Sequence, residues 1–306
     1  MVDVLILGAG RISSQYDEPQ DTAVLTHAHA IKLDKRFNLL GFYDPDSVKA
    51  QQAAEKWGVK SFSSLKSIDH VDVVVVTSPD NFHLESVRQA LQLRPRLLFL
   101  EKPIAATCAD AQEILNLTRN CPVLVNFSRR FCLEFQSLAR QIESQMFGSF
   151  QMGSGYYGKG FVHNGSHMLD LLKLLIGNVR NFVQVCETPD FYPNDPTRTM
   201  QLEFCSGGNF FMQGLSCAEY THFELDLFFQ KARIRIVNSG RQIEIYRPKA
   251  SDTYKEYKYL ELVEVVDVKI DHAMVNAYSN IYDVLAEGMP LFASLDSVFD
   301  ANLYYG

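Results

Sequence analysis

Short apolar runs alternate with segments of helical periodicity over the first 126 residues of the chain. The runs are rich in Val, Leu and Ile, which is typical of strands buried on both faces of a parallel sheet. This alternation predicts a doubly wound α/β domain with helices on both sides of the sheet. The predicted strands are residues 4–7, 39–43, 71–77, 97–100 and 123–127, and the predicted helices are 47–57, 84–93 and 109–118.

The segment 14–25 is polar and irregular, so we expect the first helix to be delayed or interrupted by an insertion there. After residue 127 the pattern changes to strands rich in aromatic and β-branched residues with few helices between them. This change predicts an α+β domain with an open-faced, mostly antiparallel sheet. Its predicted strands are 150–157, 199–204, 209–217, 223–229, 233–237 and 242–246, and its predicted helices are 131–144, 166–176 and 272–287.

A glycine-containing turn follows the first strand. Gly8 and Gly10, followed by Arg11 and Ile12, permit a tight turn and close approach of backbone amides to a pyrophosphate. Ser13 stands where the dinucleotide-binding pattern prefers glycine or alanine, and a plain strand-to-helix turn remains an alternative. With the turn interpreted as dinucleotide-binding, we predict a cofactor domain over residues 1–126 and a substrate-binding and oligomerisation domain over residues 127–306.

Asp44 directly follows the second strand, where a carboxylate can accept hydrogen bonds from the adenosine ribose. A 2′-phosphate would meet like charge there, so we expect NAD as the cofactor, with NADP less favoured. The alternative is that Asp44 only shapes a turn before the next helix.

The strand that ends at Thr77 continues into a turn with Pro79 as its ladder-breaking residue. One interpretation is a simple turn that caps the next helix. The other is a set of contacts to the nicotinamide ribose, made by Thr77, Ser78, Pro79, Asn81 and His83.

Lys102 is the strongest catalytic candidate. It follows the buried run 97–100 and the acidic Glu101, so a strand carries it to the carboxyl edge of the sheet, where open α/β sheets bind ligands. A reactive amine and a bound dinucleotide would therefore share one edge.

A second polar cluster opens the helix predicted at 166–176. His163, His167 and Asp170 are spaced four and three residues apart, so a helix that starts by Asn164 would place them on one face. A histidine suits the removal of a hydroxyl proton during alcohol oxidation. A capped amphipathic helix and a zinc site remain alternatives, and we predict no metal.

Composition narrows the class of partner. The chain has 306 residues, 47% of them hydrophobic, and a formal net charge of -7, which disfavours nucleic acid and anionic membranes as partners. No apolar run has the length of a membrane helix, and the six scattered cysteines have no metal-type spacing. We expect a cytoplasmic protein with a small-molecule partner.

These segments together resemble the Gfo/Idh/MocA oxidoreductases, the family of glucose-fructose oxidoreductase and inositol dehydrogenase. The likeness rests on the glycine loop, Glu101-Lys102-Pro103, the segment 126–131 and the segment 165–170. It spans nearly the whole chain and implies a Rossmann domain, an open-faced sheet domain, bound NAD or NADP, and a homo-dimer or homo-tetramer built through that sheet.

The resemblance also implies roles for individual residues. The family's catalytic lysine and histidine fall on Lys102, with a cis bond before Pro103, and on His167. Glu101 is expected beside the cofactor. Substrate contacts are expected from Arg129, Arg130, Tyr157, His163, Asn164 and Asp170.

One position departs from the family pattern. Many members carry an aspartate four residues before the histidine, and this chain has His163 there, which cannot supply the same negative charge. The surrounding segment 156–167 is similar to members associated with bacterial surface-polysaccharide synthesis, which implies a sugar or nucleotide-sugar substrate.

We therefore expect an oxidoreductase that transfers a hydride between NAD and a secondary hydroxyl or ketone of a sugar. Two other classes stay open. One is a hydrolase or lyase that oxidises its substrate transiently with bound NAD, and the other is a non-enzymatic NAD-binding regulator.

Overall fold

The computed structural model describes residues 1–305. The chain divides into two compact units, one made of residues 1–131 with 271–305 and the other of residues 132–270. The helices are α1 (His27–Leu33), α2 (Ser47–Trp57), α3 (His83–Gln92), α4 (Cys108–Leu117), α5 (Leu133–Glu143), α6 (Ser166–Leu175), α7 (Ala273–Glu287), α8 (Leu295–Val298) and α9 (Ala301–Tyr305).

The strands fall into two sheets. Six belong to unit 1: β1 (Val2–Leu7), β2 (Phe37–Tyr43), β3 (Lys60–Phe62), β4 (Val73–Val76), β5 (Leu97–Leu100) and β6 (Val123–Val125). Eight belong to unit 2: β7 (Phe150–Tyr157), β8 (Val179–Tyr192), β9 (Asp195–Phe204), β10 (Asn209–Gly214), β11 (Phe223–Phe229), β12 (Ala232–Val237), β13 (Gln242–Ala250) and β14 (Lys258–Asp267).

The sheet of unit 1 is parallel throughout and has the order β3-β2-β1-β4-β5-β6. Its central strands β4 and β5 are buried along their whole length, as the uninterrupted apolar runs predict. The strand order reverses between β1 and β4, and the crevice at such a reversal is where doubly wound sheets bind ligands. The predicted doubly wound domain is confirmed.

The first α-helix is delayed, as the polar segment 14–25 predicts. A short π-helical turn, Arg11–Gln15, follows the glycine loop, and α1 begins only at His27, where the Thr26 side chain accepts a hydrogen bond from the His29 amide. The carboxylate of Asp17 holds the intervening loop, because it accepts from the Thr26 hydroxyl at 2.6 Å and from the Leu25 amide.

The end of the chain belongs to unit 1, which differs from the predicted boundary after residue 126. The buried ring of Tyr278 in α7 lies edge-on to Phe37 and Phe99, and the Val125 amide donates to Ala293. The helical pattern of 272–287 identifies an amphipathic helix but does not indicate which core its apolar face enters. Residues 127–131 and 271–305 therefore complete the first unit and not the second.

The sheet of unit 2 has the order β14-β13-β12-β11-β7-β10-β9-β8, and it is antiparallel except between β10 and β7. Buried and partly exposed residues alternate along β11 and β12, so one face is apolar. Helix α6 packs on that face close to β7, where a Cβ added at Gly155 would lie 2.9 Å from the Met168 sulfur.

Two edge strands of this sheet, β8 and β14, were not predicted. Both are largely exposed along their length, with Val183 and Val185 on β8 and Val263 and Val265 on β14 more than 45% exposed. Exposed strands carry a weak burial pattern, since both faces tolerate polar residues. No helix within residues 1–305 is long and apolar enough to cross a membrane.

The return of α7 to unit 1 generates a stability prediction. Replacing the fully buried Tyr278 with alanine should lower the free energy of unfolding by about 3–5 kcal/mol, because it leaves a cavity among aromatic rings. Urea unfolding followed by fluorescence of Trp57, the single tryptophan of the chain, would report on unit 1. The matched control is Tyr16→Ala, where the ring is 54% exposed and a small change is expected. Equal losses in the two variants would contradict the assignment of α7 to this core.

Candidate functional site

The glycine loop at the end of β1 is shaped by backbone contacts that exclude side chains at Gly8. Gly8 has a φ of 105°, and a Cβ added there would meet Thr77 and Ser78 backbone atoms at 2.8 Å. Gly10 adopts an ordinary φ of -86°, and a Cβ there would meet nothing within 4 Å. The loop is therefore tight against β4 at Gly8 and open at Gly10, as the approach of a pyrophosphate requires.

Ser13, the departure from the dinucleotide pattern, is buried. Its hydroxyl donates to the Gly10 carbonyl at 2.7 Å, inside the π-helical turn. The serine therefore satisfies a backbone acceptor of the loop, and its burial explains why a small residue is needed there.

Asp44 lies at the end of β2 and joins two turns. One carboxylate oxygen accepts from the Ala9 amide at 2.8 Å, and the other accepts from the Asp46 amide at 2.9 Å. The carboxylate is thus fixed beside the glycine loop and is partly exposed. This position is compatible with both roles that the sequence analysis left open for Asp44, a contact to the adenosine ribose and the shaping of a turn before the next helix.

A groove of about 700 Å³ opens over this edge of the sheet. Its volume suits a bound small molecule or cofactor. The structure brings most of the predicted cofactor residues together in its lining, which includes Gly8, Gly10, Arg11, Ile12, Asp44, Thr77, Ser78 and Pro79. Sequence reasoning missed other lining residues, among them Tyr16, Tyr43, Lys49 and Phe82.

Three predicted cofactor residues lie outside this lining: Asn81, His83 and Glu101. Asn81 is exposed in a 3-10 turn before α3. The His83 ring is buried, and its nitrogens lie 2.9 Å from the Ser78 carbonyl and 3.1 Å from the Ile104 carbonyl. His83 therefore ties the turn after β4 to the turn after β5.

Glu101 is buried at the end of β5 in a network of polar side chains. Its Oε1 atom accepts from His27 Nε2 at 2.8 Å and from Asn126 Nδ2 at 2.6 Å. Because His27 donates through Nε2, its Nδ1 in the neutral ring accepts from the Tyr278 hydroxyl at 2.9 Å. Burial raises the pKa of Glu101, but the His27 and Asn126 hydrogen bonds outweigh it, so the net pKa lies below its ordinary value.

Lys102 follows Glu101 and is partly exposed. Burial lowers the pKa of its amine, Glu101 raises that pKa, Arg129 lowers it again, and the net pKa lies below its ordinary value. The peptide bond from Lys102 to Pro103 is cis, as the resemblance implies. A lysine with a depressed pKa at a sheet edge has the properties of a proton-transfer group.

Arg129 and Arg130 lie in the 3-10 turn Ser128–Phe131 that follows β6, and both are buried. One guanidinium nitrogen of Arg130 donates to the Phe292 carbonyl at 3.2 Å. The two arginines and Lys102 thus follow neighbouring strands of one sheet, on its carboxyl edge.

The second predicted cluster lies in unit 2, where a π-helical turn, Phe161–Gly165, leads into α6. His163 lies in this turn and His167 in the first turn of α6, and both are partly exposed. Asp170 is only 1% exposed. Asn164 donates to the Gly158 carbonyl at 2.7 Å, which ties the turn to the end of β7.

His163 forms a hydrogen bond to a carboxylate that the sequence did not predict. The ring Nδ1 atom lies 2.8 Å from Asp195 Oδ2, and the ring stacks on Tyr192 with a centroid distance of 4.0 Å and an interplanar angle of 16°. The carboxylate that the family pattern places at position 163 is therefore provided to this region by β9.

Asp195 also closes the π-helical turn. It accepts backbone hydrogen bonds from Phe161 and Val162 at Oδ1 and from His163 at Oδ2, with distances of 2.9 to 3.0 Å. Burial raises the pKa of the Asp195 carboxyl, but the hydrogen bonds from His163 and the backbone amides outweigh it and lower the net pKa.

The sequence contains only an indirect indication that Asp195 belongs to this cluster. It begins β9 directly after a two-residue turn at 193–194, and the pairing of Tyr192 with Asp195 closes the β8–β9 hairpin. Pro193 and Asn194 are turn-forming residues, so they indicate a hairpin. They give no indication that its first residue reaches a turn more than 30 residues earlier in the chain.

Tyr157 is fully buried at the end of β7. Its hydroxyl donates to the Arg198 carbonyl at 2.7 Å and accepts from the Arg198 amide at 3.0 Å. Burial raises the pKa of this hydroxyl above its ordinary value. Tyr157 therefore holds β7 to β9 through its hydroxyl.

Lys102 and His167, the two predicted catalytic residues, belong to different units. The zinc alternative receives no support in the part of the chain that the structure describes. Within residues 1–305, three ligand atoms lie within 4.8 Å of one another only at Asp3, His70 and Asp72, and not among His163, His167 and Asp170.

Comparison with known protein families agrees with the parallel-sheet fold of unit 1. The model of an oxidoreductase family with an NAD-binding Rossmann fold, Gfo/Idh/MocA, matches residues 2–127. The match lies within unit 1 and covers less than half of the chain.

Two curated relatives match parts of the chain. An uncharacterized oxidoreductase of Streptococcus pneumoniae is 42% identical over 77 residues, which are 24% of this chain and 20% of the relative. D-glucoside 3-dehydrogenase of Escherichia coli is 27% identical over 199 residues, which are 57% of this chain and 54% of the relative. The chain spans about half the length, or less, of these relatives.

A solved structure extends the comparison to both units. The crystal structure of a putative NADPH-dependent oxidoreductase from Desulfitobacterium hafniense aligns with a TM-score of 0.79 and 17% sequence identity. The alignment covers 99% of this chain and 92% of that chain. At this identity the similarity establishes the fold, including the mostly antiparallel second sheet.

The contrast between Gly8 and Gly10 generates a prediction. Gly8→Ala should lower the free energy of unfolding by about 1–3 kcal/mol, because the side chain meets backbone atoms and the φ is unfavourable. Gly10→Ala is the matched control and should stay within about 0.5 kcal/mol of the unchanged protein. Urea unfolding measures both, and equal stabilities of the two variants would refute the tight packing at Gly8.

The lowered pKa of Asp195 predicts a pH dependence of stability. Because the carboxyl pKa is lower in the folded chain, its contribution is fully present above the ordinary value of 3.8 and is lost as pH falls through the folded value. Asp195→Asn should therefore cost about 1–3 kcal/mol at pH 7 and progressively less below pH 3.8. Urea unfolding followed by circular dichroism checks this, with the exposed Asp252→Asn as the control. A penalty independent of pH would contradict it.

Proposed function

We propose that the protein transfers a hydride between NAD and a secondary hydroxyl or ketone of a sugar or nucleotide-sugar. The observation that carries this proposal is the groove over the glycine loop, at the same sheet edge at which β5 ends in Glu101 and Lys102. The match of residues 2–127 to a family of NAD-binding oxidoreductases supports it.

The residues of the groove fit a dinucleotide. The open space above Gly10 and the amides of the turn at Arg11 and Ile12 suit a pyrophosphate. Asp44, held by the Ala9 amide, is suited to the adenosine ribose, and its charge favours NAD over NADP. The nicotinamide end is assigned to the turn after β4, with Thr77, Ser78 and Pro79, and to the end of β5. His83 and Glu101, which lie outside the groove lining, would act through the hydrogen bonds that hold these two segments.

When bound, NAD supplies the hydride acceptor. The chain itself must bind the alcohol and remove its hydroxyl proton while the hydride leaves the same carbon. We assign this proton transfer to Lys102 and His167. The depressed pKa of the Lys102 amine brings it closer to the range in which an amine exchanges protons near neutral pH.

The remaining predicted residues would orient the substrate. Arg129 and Arg130 offer guanidinium donors after β6, and Asp170, Asn164 and His163 offer groups that hydrogen-bond sugar hydroxyls. Tyr157 supports that region through β9. A relative named D-glucoside 3-dehydrogenase supports a sugar as substrate.

We further propose that the protein forms a homo-dimer or homo-tetramer through the sheet of unit 2. The outward row that includes Met152, Tyr156 and Phe211 leaves these side chains between 38% and 50% exposed, flanked by Val183 on β8. Exposed apolar side chains spread over several strands are typical of an interface between subunits.

The decisive experiment measures NAD reduction by the purified protein with a panel of glycosides, inositols and nucleotide-sugars. Lys102→Ala should lower turnover by about 10²-fold or more and leave NAD binding intact, since the amine acts on the proton and not on the dinucleotide. Lys66→Ala, an exposed lysine of the same unit, is the matched control and should be fully active.

Three results would revise the proposal. Unchanged turnover of Lys102→Ala would remove the assigned role of the amine. Substrate cleavage without net NAD reduction would favour the hydrolase or lyase class. NAD binding without turnover on any substrate would favour a regulator.

A further inference from the structure

We propose that His163 and Asp195 form a histidine–carboxylate base that receives, at His163 Nε2, the proton released by the substrate hydroxyl. This inference rests on the proposed function and identifies where the proton of that reaction is held. The O–H bond of the alcohol breaks as His167 takes its proton, the proton passes on and forms an N–H bond at Nε2 of His163, and the hydride leaves the carbon for NAD. The neutral ketone and the imidazolium of His163 remain.

The hydrogen bond to Asp195 selects the ring nitrogen that can act as a base. A carboxylate only accepts, so Nδ1 of His163 carries the proton of the 2.8 Å contact. In the neutral ring Nε2 is then the unprotonated nitrogen. A carboxylate behind the opposite nitrogen also stabilises the imidazolium that forms, as in other histidine-based catalytic groups.

Asp195 is suited to this role because it is itself fixed. Three backbone amides donate to its oxygens, so the carboxylate cannot turn away from the ring. These donors also keep it ionised near neutral pH, because they lower the pKa of its carboxyl. The proton therefore stays on the imidazole and is not passed to Asp195.

The aromatic ring of Tyr192 also stabilises the protonated ring of His163, because the two rings are stacked. The nearly parallel stack at 4.0 Å holds the plane of the imidazole, and an aromatic face attracts a cation placed over it. The His163 side chain keeps 26% of its surface exposed, so the proton can later leave to solvent.

His163 lies one helical turn before His167, a spacing that brings Cβ atoms to roughly 5–6 Å in a helix. A proton taken up first at His167 can therefore pass to His163 through one water or a shared substrate hydroxyl. The titratable or charged groups on the elements packed around His163 include His167 and Asp170 on α6, Tyr157 on β7, Lys159 in the following loop, Asp190 and Tyr192 on β8, and Asp195 and Arg198 on β9.

Two substitutions of His163 distinguish the roles of its two ring nitrogens. The amide of His163→Asn can still donate to Asp195 in place of Nδ1 but offers nothing in place of Nε2. The longer His163→Gln reaches the position of Nε2 and loses the donor to Asp195. Stability of the Asn variant close to that of the unchanged protein, measured by urea unfolding, shows that the turn is preserved.

We expect His163→Asn to lower kcat/KM for sugar oxidation by about 10²-fold, with NAD binding unchanged, and to remove the acidic limb of its pH profile. His222→Asn is the matched control, because His222 has a similar side-chain exposure of 29% and lies 3.9 Å from a carboxylate oxygen of Glu224. It should leave both quantities unchanged.

Nitrogen NMR of labelled histidine gives a readout that does not depend on turnover. In the unchanged protein the neutral ring of His163 should carry its proton on Nδ1, where the carboxylate of Asp195 accepts it. A proton on Nε2 in the neutral ring would overturn the inference, as would full activity and an unaltered pH profile in His163→Asn. Absence of sugar oxidation by the unchanged protein would instead refute the proposed function, and the NMR measurement would still decide the state of His163.

Discussion

The burial of Glu101 is the constraint on which the arrangement of unit 1 depends. A carboxylate without partners at the end of a buried strand would be strongly destabilising. His27 from α1 and Asn126 after β6 both donate to the same oxygen, and Tyr278 from α7 donates to His27 in turn. Three separate segments must therefore meet before the carboxylate is satisfied, and a fourth, α7, satisfies His27. Lys102 follows directly from the position that they fix.

The fold of unit 1 could be predicted where burial acts on every residue of an element. The runs at β4 and β5 are apolar throughout because both faces are covered, and they gave correct strands and the correct sheet class. The three-residue β3 lies at an edge with two of its residues exposed, so it leaves no such signal. Strands β8 and β14 of the second sheet were likewise not predicted, because neither face of these strands is consistently buried.

The part of the candidate site that could be predicted is the part that lies close in sequence to the ends of strands. Gly8, Gly10 and Asp44 each follow a strand directly, so their meeting at one edge follows from parallel strands alone. Asp195 and His27 act on residues 32 and 74 positions away, through a hairpin and a delayed helix. Such pairings are set by tertiary packing, and no pattern of spacing along the chain encodes them.

The discontinuity of unit 1 also affects how the chain is made. Unit 2 is inserted between residue 131 and residue 271, so the ribosome completes all eight strands of the second sheet before it synthesises α7. Until then His27 lacks the Tyr278 hydroxyl, and the rings of Phe37 and Phe99 lack their covering helix. Domains generally fold as units during synthesis, with the N-terminal one first. Here the inserted unit is the first whose sequence is complete, and the nascent segment 1–131 has an uncovered apolar surface until α7 is synthesised.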